Sequence, residues 1–173
     1  MVPDVRFVLA GGHPAQIAKL REQARRLGVD DKTIFSGERP ASEIPAFLGA
    51  ADVLVSPRST GTNTPLKIYQ YLRGGKPIVA TRLLTHTQVL NDEVAILTEP
   101  TPEAFAEGIV RALRDPQLAR RIGEHARALA ESRYSYGAYL DRTRAAYAVL
   151  GGERGAGIGA LTSDPPGGMD VKL

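Results

Sequence analysis

The sequence has 173 residues, 43% hydrophobic and 24% charged, which is enough for one domain with its own core. The formal net charge of +3 is too small to point to nucleic acid, and the bases are spread over helical segments such as 111–114 and 120–121. With no cysteine, disulfides, thiolate metal sites and cysteine nucleophiles are excluded; no apolar run approaches the roughly 20 residues of a membrane span, Met1–Asp4 lacks signal-peptide character, and the cytoplasm is the expected compartment.

In chain order, Val5–Ala10 is an apolar run followed by Gly11-Gly12-His13-Pro14. A helical pattern follows, with Ile17, Leu20, Ala24 and Leu27 on one face and Gly28 placed to end it. Thr33–Ser36 reads as a strand closed by Gly37, and Ser42 is placed to cap a short helix carrying Ile44, Phe47 and Leu48. Val53–Val55 is a third apolar run, and the stretch Arg58–Thr64 after it has no periodicity. Pro65 opens a helix that Gly74-Gly75 ends. Ile78–Ala80 and Val94–Leu97 complete five continuous runs rich in β-branched residues, the pattern of strands buried on both faces.

The remainder is helical. Thr101-Pro102-Glu103 and Asp115-Pro116 are helix starts, and Ser135 begins a third helix. Leu118, Ile122, His125 and Leu129, then Tyr136, Tyr139, Leu140 and Tyr147, form helical stripes, which makes His125 a packing residue. From Gly151 on, seven glycines and two prolines in 23 residues predict a disordered tail. Strands alternating with helices predict an α/β fold, a Rossmann-like doubly wound parallel sheet of at least five strands, with C-terminal helices. Ligands in such sheets sit outside the carboxyl ends of the strands, which singles out the loops 11–14, 37–41, 56–64 and 81–88.

The loop Ser56–Thr64, SPRSTGTNT, holds one glycine, five hydroxyl side chains and an asparagine, and it runs into a helix N-terminus. Free backbone N–H groups and the positive end of the helix make an anion site there, with Arg58 and Lys67 near in sequence. A polar surface loop with an ordinary cap is the alternative. Gly11-Gly12 stands where a phosphate-binding turn would, but GGHP is not a nucleotide fingerprint, and a tight turn without ligand fits it equally. His13, His86 and His125 have no metal-ligand spacing, and Glu38 and Asp92-Glu93 stand isolated. His86 and His13, in strand-end loops, are either binding or structural residues.

The segment ADVLVSPRSTGTNTPLKIYQYLRGGKPIVAT, with FSGERPASEIPAFLGAAD before it and LTEPTPEAFAEGIVRALRDPQLARRIGEHAR after it, resembles family 4 (group 1) glycosyltransferases of the GT-B type. The likeness spans about residues 5–150, and Ser132-Arg133-Tyr134-Ser135 is similar to the family's closing motif. It implies the C-terminal domain that binds a nucleotide-diphosphate sugar for transfer of the glycosyl group to an acceptor hydroxyl. By position, Gly37, Glu38 and Arg39 would flank the nucleobase, mostly through backbone. Gly61, Thr62, Asn63 and Thr64 and the N–H groups of Leu66 and Lys67 would lie under the diphosphate or sugar, with Arg58 adding charge. Thr62 and Gln70 stand where the family has the two glutamates of its E-x7-E motif, on the donor sugar and the ribose. If Leu66 turns toward the sheet, Gln70 sits one turn deeper in the crevice; otherwise it is a polar residue on an exposed helix face.

The resemblance further implies that no metal or other cofactor is needed and that any catalytic base comes from the acceptor-binding N-terminal domain, so no catalytic residue is named in this sequence. The family's domain opens with a strand, a Gly-rich turn and an Arg/Lys pair that have no counterpart before Val5. The expectation is therefore a domain over 1–150 truncated at its N-terminus, an exposed sheet edge prone to self-association, a tail over 151–173, and dependence on an acceptor domain in cis or in trans. An acceptor at a membrane surface is among the partners this implies. The chain alone is expected to be incomplete for catalysis. A non-catalytic nucleotide-sugar-binding module, or a GT-B enzyme of another reaction type such as an epimerase or phosphorylase, are the competing readings.

Overall fold

A computed structural model describes Val2 and residues 4–151 of the chain. The strands are β1 (Phe7–Ala10), β2 (Thr33–Gly37), β3 (Leu54–Ser56), β4 (Ile78–Thr81) and β5 (Ile96–Thr98). The helices are α1 (Pro14–Arg26), α2 (Ile44–Ala50), α3 (Lys67–Gly74), α4 (Leu84–Thr87), α5 (Pro102–Arg114), α6 (Pro116–Tyr134) and α7 (Tyr136–Gly151). The α/β class is as expected, and each of the five strands falls on or within two residues of an apolar run. The expectation of a disordered tail concerns residues that, beyond Gly151, lie outside those described.

All strand ladders are parallel, but they form two sheets, β1-β2 and β3-β4-β5, rather than the single sheet expected. In the usual doubly wound order the two halves flank a central strand. No described residue pairs with the remaining edge of β1 or of β3, so both sheets have an open edge there.

Burial follows from this division. β4 is buried along its whole length. Its side chains alternate: Ile78 and Ala80 join a cluster with Leu54, Ile68, Leu72, Ala126 and Ala130, while Val79 joins Ile96, Ala112, Leu118 and Ile122 on the other face. β1 is exposed throughout, with Val8 at 52%, and Ile34 of β2 is 53% exposed. The expected burial on both faces therefore fails for this pair. α1 packs chiefly on β2, and of its apolar stripe only Ala24 is buried.

Helix boundaries follow local chemistry closely. Thr101 Oγ1 accepts from the Ala104 N–H (3.2 Å), Asp115 Oδ1 from Leu118 (2.9 Å) and Ser135 Oγ from Ala138 (3.1 Å). Gly28 and Gly75 end α1 and α3 in the left-handed region, at φ 69° and 63°. Ser42 does not cap: it lies inside a short 3-10 turn, Ala41–Glu43, that leads directly into α2. His125 is exposed, not packed, because α6 buries the smaller residues Gly123, Ala126 and Ala130. The tyrosines of α7 are also outward, Tyr136 at 75% and Tyr147 at 71%.

α6 can come this close to α3 only at Gly123. A Cβ there would stand 2.2 Å from the Gly75 carbonyl oxygen. Alanine normally favours a helix over glycine by about 1 kcal/mol. At Gly123 the backbone clash should reverse the sign, so that Gly123→Ala lowers the urea midpoint by the equivalent of about 1–3 kcal/mol. Gly49 of α2 has open space around it, so Gly49→Ala should raise the midpoint; equal effects at the two sites would contradict this packing.

The exposed β1 face and edge should make the isolated chain self-associate. Sedimentation should show concentration-dependent oligomers that Val8→Lys reduces; a monomer at all concentrations would count against the exposed edge as a liability.

Candidate functional site

β3 and β4 end side by side, with Ser56 paired to Ala80 in the ladder. β4 runs one residue further, to Thr81, and its exit is followed by α4, whose His86 is wholly buried. His86 Nδ1 lies 2.8 Å from the Thr81 carbonyl oxygen, and Nε2 lies 2.9 Å from Ser56 Oγ. A carbonyl can only accept, so Nδ1 carries the proton and donates, and Nε2 accepts from the Ser56 hydroxyl. Burial lowers the affinity of this ring for a second proton, the Thr81 carbonyl works against that, and the Lys67 and Arg58 charges lower it further. His86 is thus a neutral strut joining the ends of two strands. Of the two readings the sequence allowed, the structure favours the structural one.

The loop 57–66 arches from Ser56 to α3. Gly61 sits at φ 120°, in a region that side chains rarely adopt, and a Cβ on it would stand 2.9 Å from Arg58 Nη1. Arg58 Nη1 donates to Thr85 Oγ1 at 3.3 Å and reaches the Asn63 carbonyl at 3.5 Å. Thr85 Oγ1 donates to that same carbonyl at 2.6 Å. Gln88 Nε2 donates to the Thr62 carbonyl at 2.7 Å, while its Oε1 accepts from Thr64 Oγ1 at 3.3 Å. Arg58, Gly61, Thr62, Asn63 and Thr64 are therefore held in one assembly, and Lys67 feels the charge of Arg58. Thr85 and Gln88 belong to it and were missed, because isolated polar residues in a strand-end loop carry no pattern.

Lys67 opens α3 with its ammonium 5.7 Å from the Tyr71 ring centroid, and the Tyr71 hydroxyl donates to the Val55 carbonyl at 3.3 Å. Lys67 is surface-accessible, yet the protein packed around it and then the Arg58 charge hold its affinity for the proton below that of a free lysine. Among the described residues neither Arg58 nor Lys67 has a carboxylate partner. No side chain caps the α3 N-terminus. Two unneutralised cations beside a helix start favour an anion. Among the described residues no group of three or more His, Asp or Glu is placed to hold a metal ion.

Leu66 does not turn toward the sheet; it is 82% exposed. Ile68 and Leu72, one helical turn apart, take the inward face, which puts Leu66 and Gln70 on the opposite side. Gln70 is consequently exposed rather than deep in a crevice, although still on the helix that carries Lys67.

Gly37, Glu38 and Arg39 form a separate turn at the end of β2. The Gly37 carbonyl accepts from the Gly11 N–H at 2.7 Å, Glu38 pairs with His13 at 2.9 Å, and Arg39 Nε donates to the Ser36 carbonyl at 3.0 Å. Gly11 and Gly12 both take positive φ, and the Gln16 side chain accepts from the His13 N–H, so the GGHP segment is a tight turn into α1. Two surface hollows, one at the α6–α7 joint between Arg133 and Arg142 and the other along α1 from Pro14 to Arg25, are lined by no residue of the loop 57–66. No described helix is long and apolar enough to cross a membrane.

A parallel α/β domain with a cationic, hydroxyl-rich loop at its strand ends belongs to the Rossmann-like class of α/β proteins. The chain belongs to the glycosyl transferases group 1 family, whose sequence profile matches residues 1–129. It is 27% identical over 151 residues to the alpha-D-kanosaminyltransferase of Streptomyces kanamyceticus, covering 86% of this chain and 38% of that protein. The fold is shared with Anabaena HepE, solved in complex with UDP, at a TM-score of 0.74 and 23% identity over 86% of this chain and 41% of that one. It is shared also with the C-terminal domain of a group 1 glycosyl transferase, LpcC, from Francisella tularensis, at a TM-score of 0.61 and 21% identity, covering 71% of this chain and 64% of that one. The chain thus spans well under half the length of the full-length relatives.

The His86 strut has a pH signature. Because the folded chain resists protonating His86 and the unfolded chain does not, the unfolded state binds more protons as pH falls through the ordinary histidine value of about 6.5. Stability should be full above that value and decline below it. Urea midpoints at successive pH values should show this fall, and His86→Gln should flatten it; an unchanged slope would place the effect in another group.

Proposed function

We propose that this chain provides the donor-binding domain of a nucleotide-sugar-dependent glycosyltransferase. The observation that carries the reading is the nearness of Arg58 and Lys67, both without carboxylate partners among the described residues, at the loop that enters α3. In the reaction an acceptor hydroxyl attacks the anomeric carbon, the bond from that carbon to the diphosphate oxygen breaks, and negative charge collects on the departing nucleotide. Positive groups fixed in advance at that position lower the barrier without reorganising. Arg58, Lys67 and the backbone N–H groups near Gly61–Thr64 are suited to that task. Gly37–Arg39 would take the base, and Gln70 and Thr62 would face the ribose and the sugar as neutral hydrogen-bonding groups. That HepE was solved with UDP supports a nucleoside diphosphate as ligand.

The acceptor, and a catalytic base where one is used, would come from an N-terminal domain in cis or in trans, working in the cytoplasm or at a membrane surface. A non-catalytic nucleotide-sugar-binding module is the second reading. It is favoured by the neutral residues at Thr62 and Gln70, since a neutral acceptor is about half as strong as a charged one.

Calorimetry with UDP, GDP and ADP should show binding of at least one of them to the chain. Gly61→Val should abolish it, because valine is strained at that φ. Lys67→Ala should weaken binding more at low salt than at high salt. Gln70→Ala should cost about 0.5–1.5 kcal/mol, while Gln70→Glu should bind at least as well. Absence of binding to all three nucleotides, or full binding by Gly61→Val, would sink the reading. Hydrolysis of a bound donor by the chain joined to an acceptor domain would separate the enzyme from the module.

A further inference from the structure

We propose that α4 is a clamp that shapes the nucleotide loop, and that Thr85 and Gln88 are its positioning residues. This rests on the reading of the loop as the donor site and adds what holds the loop ready. Thr85 and Gln88 make contacts with four loop residues. Thr85 Oγ1 donates to the Asn63 carbonyl at 2.6 Å and accepts from Arg58 at 3.3 Å. Gln88 donates to the Thr62 carbonyl at 2.7 Å and accepts from Thr64 Oγ1 at 3.3 Å. Thr85 is wholly buried, so its hydroxyl has a fixed position, and the neighbouring His86 ties α4 to the ends of β3 and β4.

The geometry has a directional consequence. In a trans peptide the N–H points opposite to the carbonyl of the same unit, and the described residues contain no cis bond. With the carbonyls of Thr62 and Asn63 held toward α4, the N–H groups of Asn63 and Thr64 are both turned away from it. Consecutive N–H groups presented on one side are what an anion needs. The clamp also fixes the Arg58 guanidinium beside Gly61, where it contributes charge instead of swinging into solvent. A loop with one glycine at positive φ and no regular secondary structure would otherwise sample many shapes, and binding would bear the cost of ordering it.

The test uses the full chain carrying Thr85→Val, which keeps the shape of the side chain and removes its hydroxyl; Gln88→Leu; and Thr85→Ser, which restores the hydroxyl. The first readout needs no ligand: the rate of tryptic cleavage after Arg58, against cleavage after Arg111 in α5 as the internal reference. Thr85→Val and Gln88→Leu should raise the ratio by about tenfold with the urea midpoint little changed, and Thr85→Ser should return it toward the original. The second readout is calorimetric binding of whichever of UDP, GDP and ADP binds the unaltered chain most tightly. The same two variants should weaken it by about tenfold, again with recovery in Thr85→Ser. An unchanged cleavage ratio in both variants overturns the clamp, and so does a raised ratio with unchanged affinity. Should the unaltered chain bind none of the three nucleotides, the donor reading fails and the clamp is decided by the cleavage ratio alone.

Discussion

A strand buried on both faces must still satisfy the polar groups at its end, and in this protein that requirement organises the site. β4 is inaccessible along its length, and its last carbonyl, on Thr81, is met by the imidazole of His86. The other nitrogen of the same ring then holds Ser56, the last residue of β3. One neutral side chain thus sets the relative position of two strand ends, and those ends are the points from which the loop 57–66 and α4 depart. The same carbonyl also accepts from the Leu83 N–H at 2.8 Å, so the ring is its second partner. The pairing also fixes the tautomer, and therefore the direction of each hydrogen bond, before any ligand arrives.

Charge is arranged on top of this frame. Exposed ion pairs elsewhere on the surface, such as Arg82 with Asp92 at 2.6 Å, neutralise themselves. Among the described residues Arg58 and Lys67 have no such partner, and the reduced proton affinity of Lys67 reflects both burial around it and the neighbouring guanidinium. Thr62 and Gln70 are neutral, so neither offsets the charge of Arg58 and Lys67, and the loop keeps its cationic character.

Much of this was legible in the residues. Thr101, Asp115 and Ser135 announced their helices because a cap is a local interaction, complete within four residues. The five apolar runs gave the strands, and the composition of 56–64 gave the loop. Exposure of β1 and β2 was not legible, since Val8 and Ile34 are as apolar as Val79 and differ only in what covers them. His125 was misplaced, and the side taken by Leu66 was left open, for another reason. Periodicity gives the spacing of a helical face but not which face turns inward, and in α6 the close approach at Gly123 selects the small residues. Thr85 and Gln88 reach residues 22 to 27 positions away, beyond any local pattern.

The order in which the core is assembled along the chain bears on how the protein is made. The cluster around β4 joins Leu54 and Ile78 to Ala126 and Ala130. During synthesis it cannot close until α6 has left the ribosome. Until then β1, β2 and α1 are already outside with little apolar surface covered, and they remain so after the cluster closes. The segment carrying β1, β2 and α1 is therefore the part of this domain most dependent on chaperone protection, and closing the cluster does not end that dependence.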